Sequence, residues 1–450
     1  MFCLNSALRA LIITSFIVVL VACGGGGGGG GGNTPTTPPP AANFTITGTV
    51  SGLTGTGLVL QNNGVDDKAI ATDGAFTFNA PIANGTSYAI TVKTSPLAPA
   101  QICIVTHGKG TVKTANISDV RVTCGTHGFA YVANIYDDTI SVFTIDPITG
   151  VLTSTGAAVA TGSSPFSIAI DPAGKFAYTT NSRSNDISAY TINPISGTLT
   201  SVGPAVAAGG GPAYIAVDPT GKFAYVTNGD GTISIYTINT TTGALTSVAQ
   251  LRADMPPNQI IIEPTGKFAY TANSNSNNVS AYSINATTGA LTLIGSSVAS
   301  GNFPAFIAVD PTGKFAYTAN FFSDDISAFS INATSGALTS IGSAIAAGIS
   351  PSSINIDPTG RFVYVGNYNS ISVYSINATT GVLTSLEPPV IVGTGTITVT
   401  IDPTGKFVYA ADFLSKSITT FSIDTATGEL IPVGSAVGTA SNPQFITTAL

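Results

Sequence analysis

From residue 126 to 450 the apolar residues fall in short runs that alternate with polar residues at period two. No stretch keeps a helical period. The segment Ala213 to Thr246 predicts four strands. Ala213 to Val217 forms strand A, Lys222 to Thr227 strand B and Ile233 to Ile238 strand C, and Ala244-Leu245-Thr246 begins strand D. Between A and B lies Asp218-Pro219-Thr220-Gly221, with Asp, Pro and Gly at the turn positions they suit. The motif Asp/Glu-Pro-x-Gly-Lys/Arg-Phe-Ala/Val-Tyr recurs at 171–178, 218–225, 263–270, 310–317, 357–364 and 402–409, with a truncated copy at 128–131. Its tyrosines, 131, 178, 225, 270, 317, 364 and 409, are spaced by 45 or 47 residues. A period in the mid-forties built of short strands predicts propeller blades.

The array opens at strand B, with Phe129 to Ala133, and ends on Asn442 to Ala449, which matches strand A. That last strand is expected to complete the first blade and leave the ring without a free edge. The A–B and C–D turns never change length. All insertions and deletions fall in the B–C loops, and once in a D–A loop between Leu245 and Glu263. In an antiparallel meander those two loop types share one rim. One face of the disc is therefore uniform and the other varied, and varied loops on a rigid scaffold are where binding is expected.

Ahead of the repeats, residues 43–125 alternate as Phe44 to Val50, Leu58 to Leu60, Ala75 to Phe78, Tyr88 to Val92, Cys103 to Val105 and Val120 to Thr123. Asn-Gly and Asp-Gly turns separate them, which predicts a small antiparallel β-sandwich domain. The expected chain is all-β: a seven-bladed β-propeller of four-stranded blades over 126–450, closed by the C-terminal strand and preceded by that sandwich. In an oxidising compartment Cys103 and Cys124 are expected to form a disulfide. Closing that loop stabilises by roughly 3 kcal/mol in the chain-entropy view.

Residues 1–22 carry a single charge, Arg9, followed by a long apolar run, the pattern of a secretory signal. The junction Leu20-Val21-Ala22-Cys23 resembles the lipobox of bacterial lipoproteins. That resemblance implies lipidation at Cys23 and a membrane anchor as partner, and Gly24 after it favours the outer membrane of the cell envelope. Residues 23–42, an unbroken run of nine glycines and then a Thr/Pro-rich stretch, are a tether.

Only 8% of the 450 residues are charged, and the net charge is −7. There is no basic surface to displace counterions from phosphates, so nucleic acid is excluded as a partner. The propeller holds at most one histidine, His127, at its edge, and no Gly-x-Ser-x-Gly elbow. Asp171, Asp218, Glu263, Asp310, Asp357 and Asp402 are assigned to turns. Asn134, Asn181, Asn228, Asn273, Asn320, Asn367 and Asp412 end the B strands, where converging oxygens would suit Ca²⁺; their alternative role is to cap turns. No other cofactor is expected. Phe166, Tyr214, Phe306 and Phe445 enter the A strands near the channel mouth. The charges least explained by the repeat are Arg183 and Asp186 in one B–C loop and Arg252 and Asp254 in a D–A connection; Asp324 and Asp325 also stand on the varied face. These are the candidate ligand contacts.

Tyr225-Val226-Thr227-Asn228 and Tyr131-Val132-Ala133-Asn134 resemble the signature of the YVTN family of surface β-propellers. The whole repeat is similar to the seven-bladed lactonase propellers that include bacterial 6-phosphogluconolactonase. The resemblance covers about 320 residues and implies the fold; the repeated residues are scaffold, so it assigns no catalytic residue. Two functions follow: an envelope module binding a protein or glycan partner through the varied face, or a lactone hydrolase using an Asp of that face.

Overall fold

In the computed structural model, residues 43–97, 101–126, 128–253, 256–386 and 388–449 are described. Every regular element among them is a β-strand. The signal segment, Cys23 and the tether lie outside the described residues.

The first strands make two four-stranded sheets. One runs Gly74–Thr77, Ile46–Ser51, Ile117–Thr126, Gln101–Thr106; the other runs Asp66–Ile70, Leu58–Asn62, Ser87–Thr94, Lys109–Thr111. Alternation turns Ile46, Val50, Leu58, Leu60, Phe76 and Val120 into a shared core. One pairing departs from the expected antiparallel plan: Ile46–Ser51 and Ile117–Thr126 lie parallel. The chain crosses to the other sheet and back between them, and that long excursion permits a parallel neighbour. Cys103 and Cys124 stand directly opposite on neighbouring strands and are disulfide-bonded.

Seven blades follow, numbered 1 to 7 by their B strands: Gly128–Asn134, Phe176–Asn181, Phe223–Asn228, Phe268–Asn273, Phe315–Asn320, Phe362–Asn367 and Phe407–Asp412. These strands are buried on both faces because each is packed by the blades on either side. The ring closes as the repeat predicted. Pro443–Ala449 pairs antiparallel with Gly128–Asn134, placing Ile446 opposite Val132. Outer strand D is broken in most blades; in blade 5, Leu338–Ser340 and Ile345–Ala346 both pair with Asp325–Ile331. Blade 3, one residue shorter here, replaces the break with a continuous strand, Leu245–Arg252, that carries a register shift.

The Phe-x-Tyr of six B strands locks each to the next blade. The C–D turn glycine sits at positive φ, and the preceding blade's Phe fills the place of its missing side chain: a Cβ on Gly336 would lie 2.3 Å from the Phe268 ring. Two residues on, Tyr270 Oη donates to the Gly336 carbonyl at 3.0 Å. The same clamp joins Tyr131 to Gly197, Tyr225 to Gly289, Tyr317 to Gly381, Tyr364 to Gly428 and Tyr409 to Gly150. Burial pushes these phenols well above their ordinary pKa, so they stay donors. The hydroxyl of Tyr178, buried at the blade 2–3 seam, has no partner.

The motif's acid builds the A–B turn. Asp218 Oδ1 accepts from Lys222 N at 2.8 Å and Phe223 N at 2.7 Å, and Oδ2 accepts from Thr220 N at 3.1 Å. Even the basic residue is used in blade 6, where Arg361 donates to the carbonyls of Thr425 and Ala426 in the next blade.

Candidate functional site

Both loop types of the varied face are stitched together. After the B strands of blades 1, 2, 4 and 5 a tight turn passes through an Asn or Asp in the left-handed region, which these residues tolerate best, while Lys416 takes that place in blade 7 and Gly231 in blade 3. The side-chain oxygen of the Asn or Asp then holds the backbone N–H of the residue that enters the next A strand. Asp138 takes Ser164 at 2.7 Å, Asn185 takes Gly211 at 2.8 Å, Asn277 takes Phe303 at 2.8 Å and Asp324 takes Ser350 at 2.7 Å. The loops that vary in sequence are thus held in place by a repeated device.

Beneath them the amides of the ring asparagines donate within their own blades, while the side-chain oxygens of Asn134 and Asn228 are buried without a hydrogen-bond partner. Asn181 Nδ2 donates to Asp186 Oδ1 at 2.7 Å and to Ser188 Oγ at 3.0 Å. Asn320 does the same to Asp325 and Ser327. Among the described residues no three His, Cys, Asp or Glu groups gather as a metal requires. Asp412, the one acid of the ring, is fully buried and accepts from Thr396 Oγ1 at 2.7 Å and Thr419 Oγ1 at 2.6 Å. Burial raises its pKa against the pull of those bonds and of the Gly393 N–H.

At the channel mouth Tyr214 stands at the centre of an edge-to-face cluster. Its ring centroid lies 5.5 Å from Phe166, 5.4 Å from Phe306 and 5.8 Å from Phe445. The four rings come from blades 2, 3, 5 and 1 and pack across the axis, so they act on one another.

The candidate contacts separate into distinct roles. Asp186 and Asp325 each accept from the ring Asn and from a serine of their own turn, Ser184 and Ser323. Asp324 is the loop-holding residue described above. Arg183 is exposed in its B–C turn. Arg252 lies at the end of a strand, opposite Thr232, rather than in a free connection. It acts on Asp230: burial tends to raise that carboxyl, but bonds from Thr232 and Gly210 and the Arg252 charge leave it below its ordinary pKa. Asp254 lies outside the described residues.

A set of residues that charge counting misses stands on the same face. The two positions after the ring residue are Ile135-Tyr136, Phe321-Phe322, Tyr368-Asn369 and Phe413-Leu414 in blades 1, 5, 6 and 7, against Ser182-Arg183, Gly229-Asp230 and Ser274-Asn275 in blades 2, 3 and 4. Tyr136 is 68% exposed, Phe322 63% and Tyr368 46%. Tyr136 meets Phe413 at 5.9 Å, and Phe303 meets Phe322 at 4.8 Å. The signal was legible by aligning the repeats position by position. A cavity of about 250 Å³ lies at the opposite face between the sandwich's exit at Gly125 and Lys406 and Phe407 of blade 7.

The fold and these loops define a seven-bladed propeller of the lactonase class. The family model "Lactonase, 7-bladed beta-propeller" matches residues 86–211, 203–303, 295–399 and 368–447, and the chain belongs to that family. Among solved structures it is similar to a candidate 6-phosphogluconolactonase of Bacteroides fragilis: 23% identity, TM-score 0.64, 72% of this chain and 98% of that one. A Lactobacillus plantarum protein matches at 21% identity and TM-score 0.65, over 72% and 100%. The periplasmic gluconolactonase of Pseudomonas aeruginosa matches at 17% and 0.63, over 72% and 99%. At such identities the likeness is one of fold. No curated protein matches the chain.

Proposed function

We propose that this protein is a binding module of the cell envelope, tethered through lipidated Cys23, with the sandwich as spacer and the varied face of the propeller as its ligand surface. The observation that carries the reading is the contrast on that face. Its polar side chains are largely committed to holding loops, while on four adjacent blades three aromatic side chains, Tyr136, Phe322 and Tyr368, and Leu414 stand exposed. Solvent-exposed aromatics grouped on a rigid rim mark recognition surfaces.

Family membership supports a second reading, lactone hydrolysis. Hydrolysis needs a positioned base. The acids of the varied face described above are turn-capping, loop-holding or buried, and this favours binding. Two measurements separate the readings. The purified protein incubated with glucono-δ-lactone in a pH-stat should leave the spontaneous rate unchanged; a protein-dependent rate replaces the binding reading with the hydrolase. Cys23→Ser should move the protein from the membrane pellet to the soluble fraction, and a variant that still pellets after a high-salt wash removes the anchor.

A further inference from the structure

The aromatic half of the varied face has its own charge pattern. Blades 5, 6, 7 and 1 present Tyr136, Phe322, Tyr368 and Leu414, all exposed. Alongside them are Asp137, Asp138, Asp324 and Asp325, and a single cation, Lys416. Next to each of the three rings stands a group that accepts hydrogen bonds: Asp137 after Tyr136, Asn369 after Tyr368, and, two residues after Phe322, the Asp324 oxygen that does not hold Ser350. An aromatic face covers the C–H side of a pyranose ring, and a neighbouring carboxylate or amide takes its hydroxyls. The pattern recurs in blades 5, 6 and 1, as suits a polymer of repeating rings.

A second observation points to the rings themselves. Phe303 sits at φ 57, where the other blades place Ser164, Gly211, Ser350 or Gly395, also at positive φ. A bulky residue is strained there by about 1 kcal/mol or more. It is held by the Asn277 oxygen on its N–H, and its ring lies 4.8 Å from Phe322 and 6.0 Å from Phe321. The strain is accepted where it supports an exposed ring.

We infer that this arc is a subsite series for an uncharged, linear polysaccharide. The inference rests on the binding reading above and names its ligand class. The four carboxylates, set against a lone lysine, repel phosphorylated or uronic polymers and anionic lipid headgroups. The acceptors suit neutral hydroxyls.

The test uses the full-length mature protein and a panel of cellohexaose, maltohexaose, chitohexaose and oligogalacturonate, with binding followed by calorimetry. At least one neutral hexasaccharide should bind, its monosaccharide at least tenfold more weakly, and oligogalacturonate not at all. Tyr136→Ala, Phe322→Ala and Tyr368→Ala should each weaken that affinity severalfold, and the triple variant should abolish it, with melting unchanged. If no neutral hexasaccharide binds, or if binding survives the triple variant, the glycan assignment is overturned. Panning a random-peptide display library against the same two proteins then separates the two failures. Clones that bind the parent and not the triple variant keep this face as a binding surface for protein; their absence as well overturns the binding reading with it.

Discussion

The two faces of the disc solve the same geometric problem with different latitude. On the A–B and C–D face each repeated residue has a neighbour-specific task. The acid caps its turn, the glycine admits the Phe of the preceding blade, and the Tyr hydroxyl closes on that glycine's carbonyl. A change there disturbs two blades together. On the other face the turn's Asn or Asp is tied down in four blades, because its oxygen holds the next loop. The two positions after the ring residue are free to be Ser-Arg in one blade and Phe-Phe in another. Chemistry on a propeller of this family is therefore found by asking which positions the scaffold leaves free.

The contrast is tested most severely by Gly336→Val. The substitution places a branched side chain at φ +73 and 2.3 Å from the Phe268 ring. Both strain and overpacking act, and the expected loss is about 3 kcal/mol or more. Thermal melting measures it, with Phe322→Ala on the opposite face as the partner experiment, expected within about 0.5 kcal/mol of the parent. Equal effects from the two would erase the distinction between faces.

A subtler pair lies within the uniform face. Tyr317→Phe removes the donor that satisfies the Gly381 carbonyl and should destabilise by about 1 to 2 kcal/mol. Tyr178→Phe removes a buried hydroxyl that has no partner and should be neutral or stabilising. The two substitutions are chemically identical, so denaturant melts of both isolate the hydrogen bond. A loss at Tyr178 matching that at Tyr317 would mean the blade 2–3 seam is clamped like the others.

Blade count, ring closure and the uniform and varied rims were legible in the sequence because each rests on period and turn length. These are set by the backbone. The parallel pair in the sandwich was not legible, since alternation fixes which face a residue takes and says nothing of its strand's neighbour. The candidate contacts were chosen as unexplained charges, and here sequence reasoning ran short for a physical reason. Asp186 and Asp325 differ from their counterparts in other repeats, yet a turn can be capped equally well by Asp186, Thr139 or Asn278, each taking the ring Asn amide. Different residues filled one role. The exposed aromatics carried the opposite signature, an apolar residue where neighbouring repeats are polar.

The smallest expected effect concerns Asp412, where the two faces' logic meets in one buried side chain. Six blades end strand B with Asn and one with Asp. Burial raises the Asp412 pKa in the fold, and the Thr419, Thr396 and Gly393 donors offset only part of that. A carboxyl whose folded pKa lies above its unfolded value favours the fold while protonated. That advantage is complete below the unfolded pKa, near 4, and is lost as pH rises through the folded pKa. At pH 7 the buried carboxylate is therefore a liability, and Asp412→Asn should raise the melting temperature slightly. The amide can donate to Thr419 as the other ring residues donate to their C-strand hydroxyls. Lowering the pH toward 4 should close the gap between parent and variant, because the parent's own side chain is then neutral. Melting curves of both proteins between pH 4 and pH 8 measure this. A variant less stable than the parent at pH 7 would show that the carboxylate itself is what blade 7 needs, and would return Asp412 to the candidates for chemistry.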